Sequence, residues 1–466
     1  MSLDRITIFD LNHTEQNTLD ALLAELNAKA PRNELRAAYY DGKNAVRDLG
    51  INTPPNFRRI ATVLGWSAKA VDQLNRRCHL DGFYSPGSTS DFGVAELSEA
   101  NSLSSEAPQA GVSSLIHATS FLIATQGDVE AGEPDVLITA KDALSGTGIW
   151  NRRKRCLDAF LSILDTDKDS KPTAMVMYLP NLNVYMEKTL GGWTVDRRAH
   201  VYGVPVEQLV YRPRLGRPFG SSRISRAVMS LHDSAIRTVI RSEVSAELYS
   251  VPQRVLLGAD ESAFQNADGS IKSAWQARLG QIWAVPDDPD SPNPRADIKE
   301  LPASSQQPHV DQLRSWAQLF CGETSIPISS LGLGGGDANP TSAASYDASR
   351  EDLISEAEGT TDDWSPAWRR TMLRALTMKN GWSAVPTEAQ ALQPKWRSAS
   401  TPSRAAAADA GSKTLLQFPW LAETKLGLEL YGLDPAFIER AWQEKKSLPT
   451  TLPTAATVGD ITRNGE

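Results

Sequence analysis

The stretch LGRPFGSSRISRAVMSLHDSAIRTVIRSEVSAELYSVPQRVLLGAD (215–260) holds the longest uninterrupted helical pattern of the chain. Residues 222–250 read as one helix, opened by Ser221 or Ser222 as cap and stopped at Val251-Pro252, since the residue before proline is pushed out of helical backbone. At 1.5 Å per residue it would span about 43 Å, longer than most globular helices. Arg223, Arg226, Arg237 and Arg241 fall within an arc of about 60° on this helix, with Ser230 and Ser234 between them. Ile224, Val228, Leu231, Ala235 and Val239 lie opposite, and Glu243 and Glu247 on a flank. Such a stripe reads as a solvated basic face, or as the flank of a helix packed beside like copies. From residue 211 to 232 there are five arginines (Arg212, Arg214, Arg217, Arg223, Arg226) and no carboxylate. That excess points to an anionic neighbour, either nucleic acid or a partner's carboxylates.

Upstream, 205–220 is a connector rich in Pro, Gly and Arg. Before it, AFLSIL (159–164), AMVMYL (174–179) and NVYMEKT (183–189) are short apolar runs punctuated by Asp, Lys, Pro and Gly. They predict an antiparallel meander that closes with GGWTVDRRAHVYG (191–203). FLIAT (121–125) and DVLIT (135–139) predict two more strands behind a helical pattern over 95–120. At the N-terminus, residues 14–28 place Leu19, Leu22, Leu23 and Leu26 at helical spacing behind Thr14 as cap. Residues 31–40 and 56–78 predict further helices, the latter burying Phe57, Ile60, Val63, Val71 and Leu74.

Downstream, QRVLLG reads as a strand, KSAWQARLGQIWAV as a short helix or strand pair, and DDPDSPNPRAD as an acidic loop. A helix over 309–321 then leads into SIPISSLGLGGGDANP. A long helix opens at Asn339 with Pro340 in its first turn and runs toward Gly381. PKWRS reads as a strand, 403–442 as Ala-rich and Leu-rich helices, and 447–466 as a frayed end.

The 466 residues carry 48 Lys plus Arg against 56 Asp plus Glu, a net charge of −8, with 41% hydrophobic and 22% charged residues. Disordered and fibrous classes are excluded, and the length suits two to four domains. No apolar run approaches the ~20 residues of a membrane helix. The opening MSLDRITIFD has neither a basic nor an apolar leader region, and Cys78, Cys156 and Cys321 are too few and too scattered for a disulfide framework, so a cytosolic chain is expected. Net acidity argues against a simple basic-patch nucleic-acid binder.

Catalytic signatures are missing: there is no G-x-S-x-G, H-E-x-x-H, C-x-x-C or phosphate-loop motif. DTDKDS places Asp165, Asp167 and Asp169 like the start of a calcium loop, but Ser170 stands where glycine is needed and Val176 where glutamate is, so a solvated turn is expected. The six histidines lack metal-ligand spacing. The glycine cluster 331–336 precedes a helix, a geometry that can cradle phosphate, yet no lysine follows and Asp337 would repel an anion. A flexible loop with an apolar tip is expected there, with no catalytic residue, cofactor or metal anywhere. A nuclease or packaging ATPase would need the carboxylate cluster or phosphate loop that is missing.

Three separated motifs in order, ELRAAYYDGKNAV with NFRRIATVLGWSAKAVDQLNRRCHLDGF, then the 215–260 stretch, then SIPISSLGLGGGDANPTSAASYDASREDLISEAE, resemble portal proteins of tailed bacteriophages, particularly actinobacterial siphoviruses. The resemblance spans about 30–445. It implies an α+β, mainly α, portal fold with wing, stem, clip and crown around a central channel, forming a ring. On this chain it assigns 1–220 to the wing, 221–250 to the first stem helix, 251–307 to the clip and 308–324 to the second stem helix. The tunnel loop would be 325–339, with Leu331, Gly332, Leu333, Gly334, Gly335, Gly336, Asp337 and Asn339. Residues 340–399 would be the wing's spine helix and strand, 400–446 the crown and 447–466 a flexible tail. Asp287, Asp288, Asp290 and Arg295 would lie on the clip surface.

The implied function is a non-enzymatic, twelve-membered homo-oligomeric ring at one capsid vertex, without membrane contact. Double-stranded DNA would pass through it during packaging and ejection, and the large terminase, head-completion or adaptor proteins, and the major capsid and scaffold proteins would be its partners. The expected place is the virion, and the host cytoplasm during assembly. A virion adaptor without a channel is the other structural reading. Twelve copies at −8 make a wall of net negative charge, which lets DNA slide where dense phosphate contacts would hold it.

Overall fold

The computed structural model describes residues 6–44, 62–88, 90–249, 253–257, 297–301, 305–332, 350–400, 404–433 and 435–447. The chain divides into two compact units, Met1–Arg397 and Ser398–Glu466.

In the first unit, α1 (His13–Tyr40) is one helix where two were expected. Its cap is Asn12, not Thr14: Asn12 Oδ1 accepts from the Glu15 N–H at 2.9 Å, and Glu15 Oε2 accepts from the Asn12 N–H at 3.0 Å. This capping box is fixed from outside as well, because Arg197 Nη2 donates to Glu15 Oε2 at 2.7 Å. That contact, ahead of an opposing burial effect, holds the Glu15 carboxyl below its usual range. Pro31 forfeits one N–H inside α1, and contacts on both sides keep the helix going: the leucine face before it is buried, and Asn33 Nδ2 after it donates to the Ala143 carbonyl at 2.9 Å.

The second helix, α2, is only Trp66–Asn75. Val63, expected in its core, is 58% exposed, and Phe57 and Ile60 lie outside the described residues. A short strand β1 (Leu80–Tyr84) precedes α3 (Val94–Ala100) and α4 (Leu103–His117), which split the helical stretch expected over 95–120. The break comes at Asn101, whose side chain donates to the Val136 carbonyl at 2.9 Å and accepts from the Ile138 N–H at 2.7 Å. That side chain bonds the sheet's backbone as a strand would, which a local helix pattern does not foresee.

Strands β2 (Thr119–Gln126) and β3 (Val136–Lys141) pair antiparallel, as read. The meander is present and one strand longer than read: β4 (Gly146–Asn151), β5 (Cys156–Thr166), β6 (Pro172–Leu179), β7 (Leu182–Thr189) and β8 (Gly192–Ala199) pair in sequence order, all antiparallel. The connector also holds a strand, β9 (Val206–Val210), antiparallel to β2, giving the order β3-β2-β9. Its flanking Pro205 and arginines masked a five-residue run that the paired edge of β2 stabilises.

The alternation of β5 builds two cores. Ala159, Leu161 and Ile163 face Leu19, Leu22, Leu23 and Leu26 of α1, with Met175, Met177, Val184 and Met186. Phe160 faces the other way, joining Val176 and Tyr178 to Phe121, Ile123 and Val206 of the second sheet. Two antiparallel sheets are thus packed face to face, with α1 outside the larger one.

Beyond β9 come α5 (Arg226–Tyr249), β10 (Gln253–Leu257), β11 (Asp297–Leu301) and α6 (Gln307–Thr324). A 3₁₀ turn, Ile328–Leu331, follows, then α7 (Glu351–Asn380), ended by Gly381 at φ +61°. The residues expected to open α7, Asn339 and Pro340, lie outside the described residues. Next, α8 (Thr387–Gln390) leads into β12 (Gln393–Trp396), the expected strand, which pairs antiparallel with β1. Both α4 and α7 pack on the β3-β2-β9 sheet. Gly111 of α4 lets them approach, since a Cβ there would sit 2.2 Å from Asn75 Oδ1 and 3.0 Å from the buried Trp364.

The second unit is helical, as read: α9 (Arg404–Gln417), a 3₁₀ turn Pro419–Glu423, α10 (Lys425–Glu429) and α11 (Pro435–Ser447). The α+β class is correct. No helix among the described residues is long and apolar enough to cross a membrane.

Candidate functional site

Helices α5 and α6 run antiparallel. Ser225 Oγ meets Glu323 Oε1 at 3.3 Å near one end, Trp316 Nε1 donates to Thr238 Oγ1 at 3.1 Å midway, and Ser242 Oγ donates to Gln306 Oε1 at 3.1 Å near the other. Between the two helices in the chain, strands β10 and β11 pair antiparallel, with Gln253 opposite Leu301 and Leu257 opposite Asp297. The chain therefore leaves the sheets along α5 and returns along α6. Ile236, Ile240 and Val244 of α5 cluster with Leu64, and Trp66 of α2 lies 5.3 Å from the Phe320 ring of α6.

The root of this pair is where charge is buried. Residues 221–225 are not helical. Gly220, at φ +69°, passes so close to the Tyr211 carbonyl that a Cβ would lie 2.2 Å from it, and Ser221 N–H then donates to that carbonyl at 3.0 Å. Ser222 Oγ donates to the Ile116 carbonyl at 2.6 Å while accepting from the Ile224 N–H at 3.0 Å. The cap of α5 is instead Ser225, whose Oγ accepts from the Val228 N–H at 3.2 Å. Arg223, expected on the helical stripe, thus precedes the helix, and its side chain is 3% exposed.

Four elements meet on that guanidinium. Its Nε donates to the Ala70 carbonyl in α2, Nη2 to the Thr324 carbonyl at the end of α6, and Nη1 to Tyr211 Oη at 3.1 Å. Nη1 also lies 2.7 Å from Glu356 Oε1 of α7. The same carboxylate oxygen receives Tyr211 Oη and, at 2.5 Å, Arg212 Nη2. Burial by itself would push the Glu356 carboxyl up, and the two arginines with Tyr211 overcome it and hold it below the usual carboxylate range. Burial likewise opposes the Arg223 charge, and Tyr211 and Glu356 hold the guanidinium above its ordinary value. Among the described residues Glu356 Oε2 is buried without a hydrogen-bond partner. Beside it is an open cleft of about 510 Å³ that also carries Asp352, Asp363, Arg212 and Ser325.

A second tether holds α5 about two turns further on. His232 is fully buried, its Nδ1 2.6 Å from Ser67 Oγ of α2 and its ring edge-on to Tyr39 of α1 at 5.6 Å. Tyr39 Oη donates to Asp233 Oδ2 at 2.8 Å. Such an arrangement has no exposed nucleophile; it fixes the direction in which the helix pair leaves.

Of the arginine stripe, Arg226 and Arg241 are exposed and Arg237 is half-buried, its Nη2 donating to Ser234 Oγ at 2.9 Å. Leu331 is not a projecting tip: it is 7% exposed in the 3₁₀ turn, which Lys69 Nζ ties to α2 through the Ser330 carbonyl at 2.7 Å. Gly332 caps that turn at φ +74°. Leu333, Gly334, Gly335, Gly336, Asp337 and Asn339, and the clip residues Asp287, Asp288, Asp290 and Arg295, lie outside the described residues. Around Asp165, Asp167 and Asp169 the loop is a hairpin turn in which Asp167 Oδ1 accepts from the N–H groups of Asp169 and Lys171. Among the described residues no three His, Cys, Asp or Glu are grouped to hold a metal.

Sequence reasoning missed Glu356, Tyr211 and Thr324. One signal did point their way: the arginine excess of 211–232 called for an anion, and for Arg212 and Arg223 that anion is Glu356, over a hundred residues downstream in the same chain.

The phage portal protein family of the SPP1 Gp6-like type matches residues 19–420. Portal proteins of Mycobacterium phage D29 and Mycobacterium phage L5 are each 25% identical over 385 residues, 81% of this chain and 77% of theirs. Among solved structures, a chain from the neck of a native gene transfer agent (GTA) particle computed with C12 symmetry aligns over 79% of this chain and 90% of its own, at 12% identity and a TM-score of 0.39. A chain from the virion of a native gene transfer agent particle aligns over 86% and 93%, at 14% identity and a TM-score of 0.38. Those scores are too low to carry weight by themselves.

Proposed function

We propose, for a chain that belongs to the SPP1 Gp6-like family of phage portal proteins, that its copies close into a ring of twelve around a channel for double-stranded DNA at one capsid vertex. The family is structural rather than enzymatic. The observation that carries the reading is the antiparallel excursion from Arg226 to Thr324, which leaves the sheets and returns to one charged root.

In this reading α5 and α6 are the stem and the β10–β11 ribbon is the base of the clip, which meets the large terminase during packaging and head-completion proteins afterwards. The two sheets with α1, α4 and α7 are the wing, facing the capsid and scaffold proteins. Residues 325–339 begin the tunnel loop and 400–446 form the crown. The excursion suits a stem because a helix pair that leaves its supporting sheets needs a stiff root. Arg223 supplies one, binding α2, α6, α7 and the segment after β9 at once. Assembly would take place in the host cytoplasm and the finished ring would reside in the virion. Its net negative wall would let DNA slide, since counterion release at many cationic contacts would make it stick.

Axial views of purified particles by electron microscopy, with native mass spectrometry, test this. Twelve copies of 50.7 kDa predict a ring of about 608 kDa with a central hole. Monomers or dimers alone at every salt and protein concentration would refute it, and solid oligomers without a hole would favour an adaptor.

A further inference from the structure

Charge in this acidic chain is unevenly placed. The β4–β5 turn reads Asn151-Arg152-Arg153-Lys154-Arg155, and all four cationic residues are exposed. The turn satisfies its own backbone. Asn151 Oδ1 accepts from the N–H groups of Arg153 and Lys154, each at 2.9 Å, and the Asn151 carbonyl accepts from the Arg155 N–H at 2.8 Å. The nearest ion-pairing carboxylate is Asp158, 3.6 Å from Lys154 and already accepting from Asn151 Nδ2 at 2.7 Å. Among the described residues the side chains of Arg152, Arg153 and Arg155 make no ion pair or hydrogen bond.

A second basic turn starts nearby. Arg214 and Arg217 exchange backbone hydrogen bonds of 3.2 and 2.7 Å around Leu215-Gly216. Two residues later Phe219 lies 6.5 Å from Trp150, at the root of the first turn, and Lys29 Nζ sits 4.1 Å above the Phe219 ring. Arg36 reports the resulting field: burial first, then repulsion from Arg32 and Arg217, pushes its guanidinium down to about 10. Among the described residues only Lys154 of the four has a carboxylate partner, so the three neighbouring guanidiniums repel one another with no counter-charge there, and an anion from outside the chain would relieve them.

We propose that the β4–β5 turn, with Arg214 and Arg217 beside it, is a contact for the phosphate backbone of double-stranded DNA, separate from the stem stripe. An acidic protein surface is disfavoured because protein interfaces centre on a charge-depleted apolar core. Here Trp150 and Phe219 are half-buried against each other and Leu215 is the one large apolar side chain exposed between the turns. Guanidinium-rich and with a single exposed leucine, the surface matches phosphates, which arginine binds bidentately and without regard to base sequence. The choice of DNA as the polyanion rests on the portal reading, whereas the site itself does not require a ring.

The test is fluorescence anisotropy of the full-length protein with a random-sequence duplex across a salt series from roughly 50 to 200 mM. Arg152→Gln/Arg153→Gln/Lys154→Gln should lower the slope of log affinity against log salt by about 0.9 per lost phosphate contact, close to 3 in all. Arg155 is kept because its backbone is left-handed, at φ +54°. Should the triple variant melt earlier than the parent, Arg153→Gln alone gives the same reading at about 0.9. Unchanged affinity and slope would overturn the contact. So would polyglutamate binding as tightly as the duplex with the same loss on substitution, which would assign the turn to an acidic protein. Particle images of the same preparation separate the two claims: a ring with an unchanged slope sinks this contact alone, and a reduced slope without a ring sinks the portal arrangement alone.

Discussion

The N-terminal unit and the C-terminal unit use similar leucine-bearing helices to opposite effect. In α1, Leu19 and Leu22 are fully buried against the meander. In 404–447, Leu416 is 81% exposed, Trp420 64% and Phe437 57%, while Ile438 is the large apolar side chain buried among the described residues there. The C-terminal helices touch through glycine instead: a Cβ on Gly411 would meet the Leu430 carbonyl at 2.8 Å, and one on Gly427 the Leu421 carbonyl at 2.3 Å. A helix gains most of its stability from burying an apolar face, so the first unit carries its own core and the second, within one chain, does not.

The sharpest way to break this contrast is to spoil the first unit's charged root. Glu356→Ala leaves the Arg223 guanidinium buried without its carboxylate and should cost about 3–5 kcal/mol. Thermal unfolding of the N-terminal unit reads it, and the Arg223→Ala/Glu356→Ala pair should lose less than the two single changes added together. A loss below about 1 kcal/mol for Glu356→Ala would mean the network is not what holds the root.

Acid should act more strongly on one unit than on the other. Burial, opposed by the neighbouring Asp142 and aided by Arg36, lowers His117 from 6.5 to about 4, and burial lowers His232 as well. An unfolded chain takes up these protons first as pH falls. Stability is therefore full above about pH 6.5 and declines toward pH 4, by about 3 kcal/mol from His117 alone. Residues 398–466 contain no histidine. Far-ultraviolet melts between pH 7 and 4 should lower chiefly the transition of the N-terminal unit, since in the other unit only the exposed Glu439, held low by Lys425, is affected near the acid end, and His117→Gln should flatten that dependence. Equal acid sensitivity in both transitions would erase the distinction.

The smallest effect comes from matched truncations. Leu22→Ala should destabilise by about 2–5 kcal/mol, whereas Leu416→Ala in the unassembled chain should stay within about 0.5. If Leu416→Ala proved as damaging, that leucine would be covered in solution by something a single chain lacks.

The meander was legible because short apolar runs with β-branched and aromatic residues stand between Asp, Lys, Pro and Gly, and α6 and the end of α7 because amphipathic spacing and Gly381 mark them locally. The strand β9 was not, because Pro and Arg around Val206–Val210 hide a run that only the edge of β2 stabilises. Length misled at α5: Ser222 has the chemistry of a cap, but its hydroxyl goes to the Ile116 carbonyl, and the helix waits for Ser225.

By itself the sequence determined the α+β class, the meander and the main helices, the portal resemblance and the demand of 211–232 for an anion, since each follows from neighbours along the chain. The tertiary structure decided which anion answered it. Glu356 reaches Arg212 and Arg223 across more than 130 residues, and desolvation at that root makes one short ion pair prevail over the helical geometry that would have kept Arg223 with Arg226, Arg237 and Arg241.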